Sequence, residues 1–351
     1  MLKRLENLRK EMRKKDIEAV FVDKKEDVTY LSGFLGDDAF LFITDNHSYI
    51  ITDFRYIEQA KREAVGYEVI KDEDNIWKEI DKSIKRVGIQ EENITYARYK
   101  KYKSKLSNVE FVSIENILRK LRIKKTKKEL ENIKVAAKIA DKAFSHILKY
   151  IKAGVREMDV ALELEYFMKK NKASGVSFET IVASGVRTCM PHGVASDKII
   201  ENGDTVTLDY GALYNNYCSD MTRTVFVGEP NRDVLDIYDI VKKAQLEGIK
   251  KAQDGIIASE VDKVSRDIIK ENGYGDYFGH ALGHGVGMEV HEWPRLSHLS
   301  DVKLEDGMVV TIEPGIYVPG LGGVRIEDML VIRNDVPEVL TKSSKDVFIC
   351  F

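Results

Sequence analysis

Two kinds of hydrophobic spacing alternate along the first third of the chain. Leu2, Leu5, Leu8 and Met12 fall at helical intervals, which predicts an amphipathic helix over residues 2–15. The same stretch lacks the continuous apolar core of a signal peptide. A-V-F-V at 19–22 reads as a strand, and F-L-F-I-T-D-N-H-S-Y-I-I-T-D as a hairpin turning at 45–47. A helix near 56–64, a strand at 67–70 and a helix near 76–87 follow. This alternation predicts an N-terminal α/β domain with a mixed sheet over 1–115. It holds no cluster of acids, histidines or cysteines.

Residues 116–126 are dense in charge (N-I-L-R-K-L-R-I-K-K-T) and read as a solvated helical linker. No aromatic residues interleave the basic ones, so a nucleic-acid surface is not indicated. Helical patterns then cover 127–152, 157–172, 234–253 and 260–272, with strand-like runs between and after them. The pattern predicts an α+β domain over 127–351, with helices layered on a strongly curved, mostly antiparallel sheet.

Composition narrows the classes. A chain of 351 residues is long for one core, and 43% apolar residues suffice for two. Net charge is −3 with pI near 6.2, which implies no polyanion-binding surface. Cys189, Cys218 and Cys350 are scattered, with no C-x-x-C spacing, as expected in a reducing, cytoplasmic setting. No apolar run approaches the ~18 residues of a membrane span.

Candidate chemistry comes from a repeat. N-G-D-T-V-T-L-D-Y-G at 202–211 recurs as D-G-M-V-V-T-I-E-P-G at 306–315. Each copy is a turn, a β-branched run, one carboxylate and a glycine. A second carboxylate follows each: Asp220 in S-D-M-T-R-T and Glu327 in G-V-R-I-E-D. Strand alternation puts Thr205, Thr207 and Asp209 on one face, and Asp220, Thr222 and Thr224 on one face of the return strand. A turn beside Asn215–Asn216 sets Asp209 roughly opposite Asp220. A turn centred on Gly320, in P-G-L-G-G, sets Glu313 opposite Glu327. Facing carboxylates repel unless a cation lies between them. Histidines are at hand in G-H-A-L-G-H-G-V-G-M-E-V-H-E-W-P-R, which holds His280, His284, His291 and Arg295; His192 stands in M-P-H-G. Glycines 279, 283, 285 and 287 predict strand or loop with close backbone approach, not a helical zinc motif.

The ordered set P-H-G, L-D-Y-G, S-D-M-T-R-T, G-H-G-V-G, H-E, E-P-G-I-Y and G-V-R-I-E-D resembles the metal-dependent pita-bread peptidases: methionine aminopeptidase, aminopeptidase P and prolidase. L-S-G-F near Gly33 and I-T-D-F-R-Y at 51–56 resemble the N-terminal domain of aminopeptidase P and prolidase, which methionine aminopeptidases lack. The resemblance implies a pita-bread catalytic domain with internal duplication, and two divalent metal ions held by Asp209, Asp220, His284, Glu313 and Glu327. Mn²⁺ or Co²⁺ are the foremost candidates and Zn²⁺ or Fe²⁺ the alternatives. It implies hydrolysis of Xaa-Pro bonds, with Glu313 as proton shuttle and His192 and His291 at the substrate or oxyanion. His280 would line a proline pocket, and Arg295 would grip the carboxylate of a dipeptide. Arg325, two residues before Glu327 and on its face, would hold acidic ligands beside the substrate. An Xaa-Pro dipeptidase is expected, with an aminopeptidase P acting on longer peptides as the alternative, and a non-catalytic binding protein behind both. The implied assembly is a homodimer.

Overall fold

The computed structural model describes residues 2–71 and 73–351. They fall into two compact units, Met1–Arg122 and Ile123–Phe351. Among the described residues no helix is long and apolar enough to cross a membrane.

The first unit is a six-stranded sheet of β1 (Ala19–Val22), β2 (Ala39–Thr44), β3 (Ser48–Thr52), β4 (Glu68–Lys71), β5 (Arg86–Ile89) and β6 (Glu110–Ser113). The spatial order is β4-β3-β2-β1-β5-β6. β1, β2 and β3 pair antiparallel and the other neighbours parallel, so the sheet is mixed. The helix expected over 76–87 is instead Glu73–Glu79 followed by β5. Asp81 ends the helical stretch by accepting the Ser83 amide at 2.8 Å, a local bond that competes with helix. The strand then needs Gly88: a Cβ there would stand 2.3 Å from Ile114. Two helices escaped the spacing argument. Lys25–Ser32 is buried from Asp27 onward and so shows no polar face. Tyr96–Lys105 is marked mainly by its cap, Thr95, which accepts the Arg98 amide. The segment read as a linker over 116–126 is for the most part a helix of this unit, Glu115–Ile123. It buries Ile117 and Leu118, and its Arg122 pairs with buried Asp27 at 2.8 Å.

In the second unit, alternation decides which face meets which layer. Thr205–Tyr210 pairs antiparallel with Met221–Val227 and with Ile181–Ser184. Val206, Leu208, Tyr210 and Val225 point into a core closed by Ile139, Ala143, Ile147 and Leu164, from helices Lys127–Ile147 and Glu157–Lys170. The second copy repeats the arrangement. Val309–Ile312 pairs antiparallel with Asp328–Val331, and Val310, Ile312 and Leu330 pack on Ile237, Val241 and Val261 of helices Arg232–Lys251 and Ala258–Glu271. Each such aliphatic side chain contributes about 1.5–3 kcal/mol on full burial. The duplication therefore extends to a pair of helices behind each hairpin, and leaves the polar face of each strand pair for the site.

Candidate metal centre

The first hairpin turns at Asn215–Asn216, both with positive φ (48° and 63°). Tyr214 pairs with Tyr217, so the turn is centred one residue later than the spacing argument placed it. Asp209 consequently lies opposite Thr222, and Asp220 is its diagonal neighbour on the same face. Gly211 makes the bend between the two segments: a Cβ there would meet the Ser219 carbonyl oxygen at 1.8 Å. The second hairpin has the expected register. Gly315 pairs with Arg325 and Ile312 with Asp328, which sets Glu313 opposite Glu327 about a turn at Pro319–Leu321. The two hairpins lie side by side. The Glu327 amide donates to the Thr222 carbonyl at 3.1 Å, and the Thr224 hydroxyl to the Arg325 carbonyl at 2.9 Å.

His284 enters from Gly283–Gly285, a short strand between Glu292–Leu296 and Val309–Ile312. The glycines around it are spacing devices, as read from the sequence: a Cβ at Gly283 would stand 2.1 Å from the Thr311 carbonyl, and one at Gly285 2.2 Å from that of Trp293. His284 Nδ1 faces the Gly285 carbonyl at 3.1 Å, which leaves Nε2 for the site. Nε2 lies 3.1 Å from Glu313 Oε1 and 3.6 Å from Asp220 Oδ2. Ligand atoms of Asp220, His284 and Glu327 all lie within 4.8 Å of one another. Asp209 joins through Arg325, whose Nη2 donates to Oδ2 at 2.7 Å. Thr222 donates to Glu327 Oε2 at 2.7 Å.

The electrostatics is that of a cavity built for positive charge. Burial, then repulsion from the neighbouring acids, pushes Asp220 and Glu327 well above the ordinary carboxylate range. Burial raises Asp209 too, against the pull of Arg325. Burial also opposes ionisation of Glu313, but the hydrogen bond and charge of His284 outweigh it and hold Glu313 at about 2. Burial opposes charge on His284, and Glu313 overcomes it, so His284 is raised. Asp209 Oδ1 and Glu327 Oε1 are buried with no hydrogen-bond partner. Orphaned carboxylate oxygens are costly in an interior, and a cation relieves them. Hard oxygen donors with one imidazole nitrogen fit divalent transition metals.

The remaining expected site residues divide into two groups. His291 and His192 are exposed, and the His291 ring stands 4.4 Å from that of His284. Burial, then the charge of His284, holds His291 below its ordinary value. Arg295 is exposed too. It pairs across the strands with His284, where two extra residues bulge the Glu292–Leu296 strand. His280 is turned inward: Nδ1 bonds the Ala281 carbonyl at 2.8 Å and Nε2 the Tyr317 hydroxyl at 2.9 Å. Arg325 is buried, and its other bonds run to Thr222 Oγ1, the Pro191 carbonyl and Tyr317. All these bonds run to the scaffold of the site, and the bond to Asp209 is the kind expected of a residue that holds the acids in place. Thr222 and Tyr317 went unnoticed as working parts, though both stand in the motifs quoted above. Arg223 went unnoticed as well. Fully buried, it pairs with Asp328 at 2.6 Å and donates to the Thr222 and Glu327 carbonyls, clamping the two hairpins from behind.

The sequence model of metallopeptidase family M24 matches residues 131–334, more than half of the chain. The chain belongs to metallopeptidase family M24. This M24 chain also matches the creatinase/prolidase N-terminal domain over residues 4–124. It is 46% identical over 350 residues to an Xaa-Pro dipeptidase of Pyrococcus furiosus, with 99% of this chain and 100% of that protein covered. A solved Xaa-Pro dipeptidase from Bacillus anthracis superposes with TM-score 0.96 at 45% identity, covering 99% of both chains. An X-Pro aminopeptidase from Thermotoga maritima superposes with TM-score 0.88 at 39% identity, covering 95% of this chain and 98% of that one. The two-domain α+β fold, with a pita-bread catalytic part, and the peptidase class expected from the motifs are thus established.

Proposed function

We propose that this M24 peptidase is an Xaa-Pro dipeptidase, with two divalent ions, Mn²⁺ or Co²⁺ foremost, held by Asp209, Asp220, His284, Glu313 and Glu327. Bound there, the ions supply Lewis acidity for the scissile carbonyl and for a water. The chain's own groups do the rest. Glu313, whose Oε1 lies 3.1 Å from His284 Nε2, would be the proton carrier between that water and the proline nitrogen, which is a tertiary amide until it is protonated. His291, largely neutral and exposed beside His284, can donate to the carbonyl oxygen as charge develops there. His192 stands with it. His280 has both ring nitrogens spent inward, so it offers the proline ring a flat apolar wall rather than a hydrogen bond. The homodimer and cytoplasmic location expected from the sequence belong to the same proposal.

Arg295 carries the choice of substrate length. Among the described residues its side chain forms no hydrogen bond or ion pair, and it stands exposed across the strands from His284. A free guanidinium beside the reacting centre matches the carboxylate that a dipeptide places one residue past the scissile bond. The likeness to an X-Pro aminopeptidase keeps the longer-peptide reading as the alternative. The test is hydrolysis of Leu-Pro and of Leu-Pro-Pro by Mn²⁺-loaded protein and by its Arg295→Ala variant. Leu-Pro is expected to be the faster substrate and to lose about 10- to 100-fold in kcat/KM on substitution, the worth of one charge-assisted bidentate contact. Faster cleavage of Leu-Pro-Pro would favour the aminopeptidase, and an equal fall on both substrates would remove Arg295 from specificity.

A further inference from the structure

One buried ion pair lies next to the site and takes no part in the chemistry above. Lys125 Nζ lies 3.2 Å from Glu292 Oε2, with side-chain exposures of 2% and 6%. The other carboxylate oxygen, Oε1, accepts the backbone amides of Met288 at 2.8 Å and Glu289 at 3.1 Å. Glu292 therefore ties together the two ends of the loop 287–292, and His291 is the residue before it. The loop is built tightly on this carboxylate: a Cβ at Gly287 would meet Glu292 Oε2 at 2.5 Å. The Gly287 carbonyl in turn accepts the Cys218 amide at 2.8 Å, two residues from Asp220. Lys125 is itself fixed, its amide donating to the Gly307 carbonyl at 2.9 Å, in the turn that opens the second hairpin.

Stability does not explain such a pair. Taking two charges out of water costs about as much as their attraction returns, and apolar side chains of the same volume stabilise as well or better. What apolar side chains cannot do is hold two amides and a histidine-bearing loop in one geometry. We propose that Lys125 and Glu292 are positioning residues that act through His291: the ammonium neutralises the buried carboxylate, and the carboxylate shapes the loop that aims His291 at the reacting carbonyl. The proposal rests on the placement of His291 at that carbonyl. Displacement of a polar group by ~1 Å costs a large part of its effect on the transition state.

The experiment is a double-mutant cycle on Leu-Pro hydrolysis by the full-length, Mn²⁺-loaded protein, using Lys125→Met, His291→Ala and the pair. Lys125→Met is expected to lower kcat about tenfold with KM changed less than about twofold, and Lys125→Arg to restore kcat to within about threefold. In the His291→Ala background Lys125→Met should lower kcat no further, because residues that act through one another are not additive. Full additivity of the two losses would overturn the proposal, as would wild-type kcat in Lys125→Met. Should Lys125→Met fail to fold, Glu292→Gln, which keeps the shape and one acceptor oxygen, enters the same cycle with the same expectations. Wild-type kcat in His291→Ala alone would instead overturn the role of His291, and the positioning proposal with it.

Discussion

Arg325 joins three parts of the site through one guanidinium. It donates to Asp209, to Tyr317 and to the Pro191 carbonyl beside His192. The directions of these bonds are mutually consistent. Arg325 donates to the Tyr317 oxygen, which leaves the Tyr317 hydroxyl proton for His280 Nε2. The one ring proton of His280 then sits on Nδ1 and is donated to the Ala281 carbonyl. The chain of bonds keeps His280 neutral, in line with its lowered pKa, for which burial is the main cause. A lysine cannot reproduce the planar fork, so Arg325→Lys should weaken Mn²⁺ binding by about 10- to 100-fold, the usual cost of losing a group that orients a ligand. Calorimetric titration of the metal-free variant measures this; unchanged affinity would detach Arg325 from Asp209. That Arg325 stands among the acids of the site was legible from its two-residue spacing to Glu327. Its contact with Tyr317 runs diagonally across its own hairpin, between the strands Gly315–Val318 and Gly322–Arg325, but its contact with Pro191 was not legible, because that loop is brought in only by the tertiary fold.

At the scale of elements, the hairpins show how much a spacing argument carries. The second turn, with Gly320 at its centre, was located correctly, and the register from Val309 to Val331 follows from it. The first was centred one residue early, which moved the partner of Asp209 from Thr222 to Asp220. The error did not change the face, because a shift of two in the partner keeps side-chain parity. The four acids therefore still converge. The pair Asn215–Asn216, with both φ values positive, is the kind of two-residue turn that matches the twist of its strands. Asn216→Val should destabilise the protein by about 1–2 kcal/mol, and Asn216→Gly should leave it unchanged or slightly more stable. Urea unfolding midpoints separate the two; equal midpoints would mean that the turn does not constrain the hairpin. In the first unit, Lys25–Ser32 and the strand Arg86–Ile89 were not legible. One is buried almost all round and so shows no polar face, and the other begins within the stretch read as the helix near 76–87.

Across the whole catalytic unit, two helix-backed hairpins present their polar faces to one another, and the stretch between the copies supplies His280, His284, His291 and Arg295. The duplication accounts for the acids, and in the proposed function the inserted stretch supplies the groups that select a substrate. The acids have a consequence for stability. Asp220 and Glu327 titrate above their unfolded values, so in that window the folded, metal-free chain holds more protons than the unfolded one. Their contribution to stability is present below the ordinary carboxylate pKa and is lost as pH rises towards the raised values. A cation that replaces those protons should therefore stabilise more at pH 8 than at pH 6. At 100 times its dissociation constant the gain is about 2.7 kcal/mol. Scanning calorimetry with and without Mn²⁺ at the two pH values reads the difference, and an equal or smaller gain at pH 8 would contradict it.

The most direct measurement is a titration of chelator-stripped protein with Mn²⁺, following bound metal and Leu-Pro hydrolysis together. Two ions per chain are expected, with no hydrolysis before loading and activity that rises with occupancy. Leu-Pro hydrolysis by the stripped protein, or full loading without hydrolysis, would contradict a catalytic role for the metal centre, and failure to bind two ions would contradict the centre itself.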